Sequence, residues 1–254
     1  MRGPLAFLVA LSLTLGACSG AAQTPRAAQP ASPTVFAAVQ QPKPVASKEI
    51  EPVESGARPQ GGVSLEVWNR PDPAAPSFHM KTLNPLNQEL TMPINSMHEG
   101  IGTKDWYEVL LPDKPNESTG WVRARDINVV ALHERIVIDL SKYTLTHFRD
   151  EKVVDRFKVG IGQPQWPTPT GTYYVWARVP QPGSSGPYGA YALGLSAFSK
   201  VLTDWPGGGR VAIHGTANPG DTGRKISHGC IRVFNRDVVK LKRVPIGTPV
   251  IIER

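Results

Sequence analysis

Twenty-five prolines spread over 254 residues constrain this chain more than any other feature. Proline lacks a backbone donor and clashes with the preceding helical turn, so it breaks a helix interior. At nearly one residue in ten, it argues against a helical bundle and for short strands joined by turns. The length allows one large domain or two small ones. The body of the chain holds no apolar run of about 18 residues, which excludes a multi-spanning helical membrane protein. Cys18 and Cys230 are the only cysteines. Two so far apart exclude a disulfide-stapled scaffold and any zinc module built on four cysteines or on a close pair.

Each cysteine has its own context. Arg2 and the apolar run Leu5–Leu15 are followed by Gly16, Ala17 and Cys18. This is the pattern of a secretory signal, and it is too short for a comfortable membrane span. Leu15-Gly16-Ala17-Cys18 resembles the lipobox of bacterial lipoproteins. The resemblance implies cleavage before Cys18, lipidation of that residue, and an extracytoplasmic protein anchored to a bacterial membrane. Residues 1–18 are thus expected to be a lipoprotein signal peptide. Residues 19–62 contain seven prolines and a single aromatic, Phe36. Such a composition cannot bury a core, so a disordered tether is expected there.

From residue 63 to 131 the pattern becomes that of a small β domain. Val63, Leu65 and Val67 alternate with polar residues, and Trp106–Leu111 and Trp121–Ile127 flank a segment dense in turn formers. Trp106 and Trp121 are expected in its core. The pair of segments beginning Asp105-Trp106-Tyr107-Glu108-Val109 and Gly120-Trp121-Val122-Arg123 resembles bacterial SH3-like domains. In that family such modules accompany wall enzymes, as ligand binders or as spacers.

Residues 132–254 alternate over Arg135–Leu140, Tyr143–Phe148 and Val153–Gly160, as an antiparallel meander would. A Pro/Gly loop spans Gln163–Gly171, and a helix is expected over Asn235–Lys242 with Asn235 as its N-cap. The basic balance lies here: the segment carries seventeen basic and nine acidic residues, against six and nine in residues 63–131. A positive domain favours anionic wall polymers or peptide carboxylates. The secretory pattern and the lack of a reading motif speak against nucleic acid.

The chemistry gathers between Ile213 and Val233. His214, Gly215, Ser227, His228, Gly229, Cys230 and Arg232 fall within nineteen residues. A cysteine needs a base or a positive neighbour to act as thiolate near neutral pH. A neighbouring glycine lets a substrate carbonyl approach the backbone, and amides of the Cys230 turn would meet a developing oxyanion. From the residues alone, a buried inert thiol, a zinc site of His214, His228 and Cys230 with Asp221, and a wall peptidase all stay open.

His214-Gly215-Thr216 followed by Ser227-His228-Gly229-Cys230-Ile231-Arg232 closely resembles the signature of the L,D-transpeptidase (YkuD-type) catalytic domain, and Pro167–Tyr173 matches the same family. The resemblance implies a mainly β protein: a small SH3-like barrel, then a β-sandwich-like catalytic domain with one or two short helices. It implies peptidoglycan stem peptides as substrates and no cofactor. It makes Cys230 the nucleophile and His214 the general base, oriented by the Gly215 carbonyl. His228 assists near the thiol, Ser227 and Gly229 shape the site, and Arg232 steadies it or meets a substrate carboxylate. The reaction implied is acyl transfer from a donor tetrapeptide to a diamino-acid amine, giving a 3→3 cross-link. Water or a wall protein as acceptor is the alternative, and carbapenem-type inhibitors would acylate the same thiol. His79, His98, His133 and His147 are expected at surface or satisfied structural positions, and Asp139 at a strand edge. Tyr188, Tyr191, Trp205 and Gly207–Gly209 are expected to border the substrate groove.

Overall fold

The computed structural model describes residues 54–62, 64–98, 105–203 and 207–254. Cys18, Val63, Trp205 and residues 19–53 of the expected tether lie outside them. Among the described residues, sixteen strands form two sheets.

The first sheet contains β1 (Ser55–Pro59), β2 (Ser64–Trp68), β3 (Ser77–Lys81), β4 (Met92–His98), β5 (Trp106–Leu110), β6 (Thr119–Arg123) and β7 (Ile127–Ala131), in the order β3-β2-β6-β5-β4-β1-β7. Leu65 and Val67 point inward as their alternation requires. Trp106 is buried edge-on against Trp68, with ring centroids 5.0 Å apart, and the Arg123 guanidinium lies 4.2 Å above Trp68. Trp121 packs against the same cluster but is only half-buried, with His98 against its edge. The expected tether ends too late, because β1 lies inside it and pairs with both β4 and β7. Ser55–Pro59 shows no alternation of large apolar residues, so its sequence does not read as a strand. Its fit comes from small size: a Cβ on Gly56 would stand 2.7 Å from the Thr91 methyl.

The second sheet contains β8 (Glu134–Asp139), β9 (Thr144–Arg149), β10 (Lys152–Gly162), β11 (Gly171–Pro180), β12 (Tyr191–Phe198), β13 (Arg210–Thr216), β14 (Lys225–Ser227), β15 (Ile231–Phe234) and β16 (Pro249–Glu253). The meander of β8, β9 and β10 is antiparallel. Strand β10 is eleven residues long and changes partner along its length. Its first part pairs with β9, while Val159 and Gly160 pair with Val233 and Arg232 of β15. The circuit therefore closes as β9-β10-β15-β13-β12-β11-β16-β8-β9, and it encloses a core that includes Ile136, Leu193, Leu195, Ile213 and Ile231.

The helix is shorter than the sequence suggests. Helix α1 spans Asn235–Val238 and continues as a 3₁₀ turn over Val239–Arg243, with Val238 and Leu241 buried. Asn235 is not the N-cap. Its Oδ1 accepts from the Ala190 N–H (2.8 Å) and its Nδ2 donates to the Ser184 carbonyl (2.9 Å). The preceding loop has taken the side chain that would otherwise cap the helix.

The two sheets belong to one compact unit. Tyr174 and Trp176 of β11 pack into the core of the first sheet. Two side-chain amides imitate strand pairing across the junction. Asn116 donates to the Phe198 carbonyl (2.9 Å) and accepts from its N–H (2.8 Å), and Gln88 does the same with Arg178 (2.7 and 2.9 Å). Arg210 donates to the Leu195 and Pro112 carbonyls and stacks 3.8 Å from the Trp176 ring. Burial lowers its pKa to about 10.

Candidate active site

The site is built on two parallel neighbours. Strands β13 and β15 pair with Ile213 beside Ile231 and His214 beside Arg232. Val211, Ile213, Ile231 and Val233 all enter the core. Side chains alternate along a strand, so Ala212, His214, Cys230 and Arg232 share the opposite face. The Cys230 thiol meets the backbone of Ala212, one step before the paired register. Fifteen residues lie between His214 and Cys230 in the chain, and the parallel pairing makes them diagonal neighbours.

His214 is 4% exposed, and its Nδ1 donates to the Gly215 carbonyl at 2.9 Å. The Tyr188 ring stands edge-on to it at 5.3 Å. Gly215 also donates its N–H to the Tyr188 carbonyl at 3.0 Å. A side chain at Gly215 would strike Asn235, since an added Cβ would lie 2.3 Å from Oδ1. Glycine is thus required for the backbone that orients the imidazole. With Nδ1 carrying the proton, Nε2 holds the lone pair.

Burial sets the charge states. It pushes the Cys230 thiol up, against the Ala212 backbone bond and the Arg232 charge, which pull it down. It pushes His214 down to about 4, aided by Arg232 and opposed by the Gly215 hydrogen bond and Asp221. The resting pair is therefore a neutral thiol beside a neutral imidazole. A stability consequence follows. The folded chain refuses a proton that an unfolded histidine accepts near pH 6.5. Stability contributed above that pH is lost as pH falls to about 4, by on the order of 3 kcal/mol. His214→Gln is expected to remove that share of the pH dependence. Urea unfolding of both proteins at pH 7 and pH 4.5 checks it, and equal losses would refute it.

The turn around the cysteine is held by hydroxyls. Ser227 is buried; its Oγ accepts from the Gly229 N–H (3.2 Å) and donates to the Cys230 carbonyl (2.5 Å). Gly229 sits at φ +113°, where glycine alone is comfortable. Arg232 donates to Asp221 at 2.9 Å, and the same carboxylate accepts from Thr216 (2.7 Å) and Asn218 (3.1 Å). Arg232 is thus paired within the protein through Nη1, while its buried Nε has no hydrogen-bond partner among the described residues. Asp221 is committed to the same network. His228 is exposed, with its ring 4.2 Å from that of Trp166.

Tyr191 does not border a groove; it is 5% exposed and belongs to the core of the second sheet. Its place in β12 turns it inward, which proximity in sequence did not reveal. His79 and His98 are exposed, His133 pairs with Asp150, and buried His147 contacts Glu134 at 2.9 Å. The Lys142 ammonium and the Ser141 hydroxyl hold Asp139 well below the usual carboxylate range. Trp166 and Thr168 were not among the expected site residues. Both lie in the Pro/Gly loop, where Thr168 falls within the Pro167–Tyr173 stretch that resembles the family but neither residue type marks a reaction by itself.

Residues 133–252 match the YkuD family, the L,D-transpeptidase catalytic domain. The Bacillus subtilis L,D-transpeptidase-family protein YkuD is 34% identical over 152 residues, covering 57% of this chain and 85% of that protein. Its Bacillus licheniformis counterpart is 38% identical over 119 residues, covering 46% and 64%. Among solved structures, L,D-transpeptidase 3 from Mycobacterium tuberculosis, in complex with a faropenem-derived adduct, aligns with 16% identity and a TM-score of 0.41, covering 63% of this chain and 98% of that one. With the matched residues spanning β8 to β16 and the whole Cys230 turn, this chain belongs to the YkuD family of L,D-transpeptidases.

Proposed function

We propose that the protein forms 3→3 cross-links in peptidoglycan by acyl transfer through Cys230. The observation that carries this is the His214 contact: Nδ1 is spent on the Gly215 carbonyl, so Nε2 is the atom left to take a proton on the face shared with Cys230.

Cys230 Sγ attacks the carbonyl joining the third residue of a donor stem to the D-Ala at position four, and the thiol proton passes to His214 Nε2. The oxyanion meets backbone N–H groups of the Cys230 turn. As the C–N bond breaks, the imidazolium returns its proton to the departing D-Ala amine, leaving a thioester on Cys230. The side-chain amine of a third-position diamino acid on an acceptor stem then attacks the thioester and gives a proton to His214. Collapse forms the new amide and restores the thiol. Each attack moves one proton from a neutral thiol or amine to the neutral imidazole, and each collapse returns that proton from the imidazolium to the leaving amine or thiolate, so the pair starts and ends uncharged. His228 assists beside the thiol. The chain's own residues suffice for these steps.

The test is incubation of the full chain with tetrapeptide muropeptides, followed by mass spectrometry. Release of D-Ala with cross-linked dimers supports the proposal. Release without dimers makes the protein a carboxypeptidase, and absence of release on intact, folded protein overturns acyl transfer. A carbapenem-type β-lactam is expected to acylate the same thiol.

We also propose that Cys18 is lipidated, that the tether reaches from a bacterial membrane toward the wall, and that the first sheet is an SH3-like spacer that presents the second. The shared core at Tyr174 and the amide pairs of Asn116 and Gln88 favour a rigid presenting role. Cys18→Ala is expected to shift the protein from the detergent phase to the aqueous phase. Unchanged partitioning of the variant would sink the anchor.

A further inference from the structure

We propose that Thr168 is a positioning residue for the reaction, aiming the Cys230 amide at the oxyanion by holding the Gly229 carbonyl. The proposal rests on the acyl-transfer reading above.

Thr168 lies in the Pro/Gly loop between β10 and β11 and is 5% exposed. Its Oγ1 accepts a hydrogen bond from the Gly162 N–H (2.9 Å) and donates one to the Gly229 carbonyl (2.9 Å). One hydroxyl therefore ties the end of β10 to the turn that carries the nucleophile. The loop is held there independently, since Gln163 donates its N–H to the Ser227 carbonyl at 2.9 Å and its side-chain amide to the Ile226 carbonyl at 3.2 Å.

A trans peptide is planar, and its carbonyl points opposite to the N–H of the next residue. Fixing the Gly229 carbonyl thus fixes the direction of the Cys230 N–H. On the other side of the same α-carbon, Ser227 fixes the Cys230 carbonyl. Without these two hydroxyls the turn would hinge at Gly229, the residue with the widest backbone freedom. An oxyanion donor lowers a barrier only when it is aimed before the charge develops. Thr168 supplies that aim from outside the Ser227–Arg232 segment.

Two reactions of Cys230 separate aim from mere integrity. Acylation by a carbapenem-class β-lactam passes through an oxyanion. Alkylation by iodoacetamide displaces iodide at a saturated carbon and builds none. Both are followed on the full chain by intact mass and peptide mapping to Cys230. Thr168→Val keeps the shape and loses both hydrogen bonds. At saturating β-lactam, its acylation rate is expected to fall about 100-fold, the scale of a lost oxyanion donor. The half-saturating concentration is expected to change less than about threefold, because the loss is confined to the transition state. Alkylation is expected to stay at the parent rate, and Thr168→Ser, which keeps the hydroxyl, to restore most of the acylation. If the valine variant does not fold, Thr168→Ala carries the same comparison. Equal falls in acylation and alkylation, or no fall in either, overturn the proposal while leaving acyl transfer standing. A parent chain that is alkylated at Cys230 but never acylated overturns acyl transfer and this proposal together.

Discussion

Cys230→Ala is expected to lower D-Ala release from tetrapeptide muropeptides by about 10⁴-fold or more, and His214→Ala by a similar factor. The double variant should lose no more than either one, because members of one catalytic unit are strongly non-additive. The pH profiles should nevertheless differ. Burial holds the thiol above its usual range, so a chain without the base has very little thiolate at neutral pH. Raising the pH generates thiolate without His214. Release by His214→Ala should therefore climb about tenfold per pH unit below the thiol pKa, as simple titration dictates. Release by Cys230→Ala should stay flat at the background. Rates measured by mass spectrometry between pH 6 and pH 9 decide it. Full activity in Cys230→Ala removes the nucleophile assignment, and a flat profile for His214→Ala removes the proton-transfer role.

Tyr174 carries the second large expectation. It is fully buried, it belongs to the second sheet by its strand, and it packs in the core of the first. Tyr174→Ala removes an aromatic side chain from a filled core and is expected to cost about 3–5 kcal/mol. Tyr174→Phe should go the other way. The hydroxyl is buried with no hydrogen-bond partner among the described residues, so its removal relieves a desolvation cost and is expected to stabilise by about 1 kcal/mol. Because the two cores meet at this residue, both variants should shift a single unfolding transition. Calorimetry and urea unfolding report both quantities. Destabilisation by phenylalanine, or two separate transitions in the parent, would contradict the shared core.

Much of this fold was legible in the residues. Alternation located β8, β9 and β10, and it located Leu65 and Val67 in β2, because one buried face forces a period of two. Proline and glycine marked the loops. β1 was not legible, since Gly56 and Ala57 are chosen for closeness to Thr91 and Met92 rather than for an apolar face. Nor was the shortened helix, because the pull on Asn235 comes from Ala190 and Ser184, some fifty residues away. Tyr191 read as a groove residue until β12 turned it into the core.

By itself the sequence determined which chemistry is available: a thiol at Cys230, a His214-Gly215 pair upstream, and a Ser227-His228-Gly229 turn directly ahead of the cysteine. These are local facts, written in adjacent residues. Only the tertiary structure decided how they meet. The parallel pairing of β13 with β15 sets His214 diagonal to Cys230, and the change of partner along β10 brings Thr168 to Gly229 across 61 residues. The same folding sets Arg232 against buried Asp221, eleven residues away in the chain. Register and loop docking depend on burying two whole sheets at once, and no short stretch of sequence contains that balance.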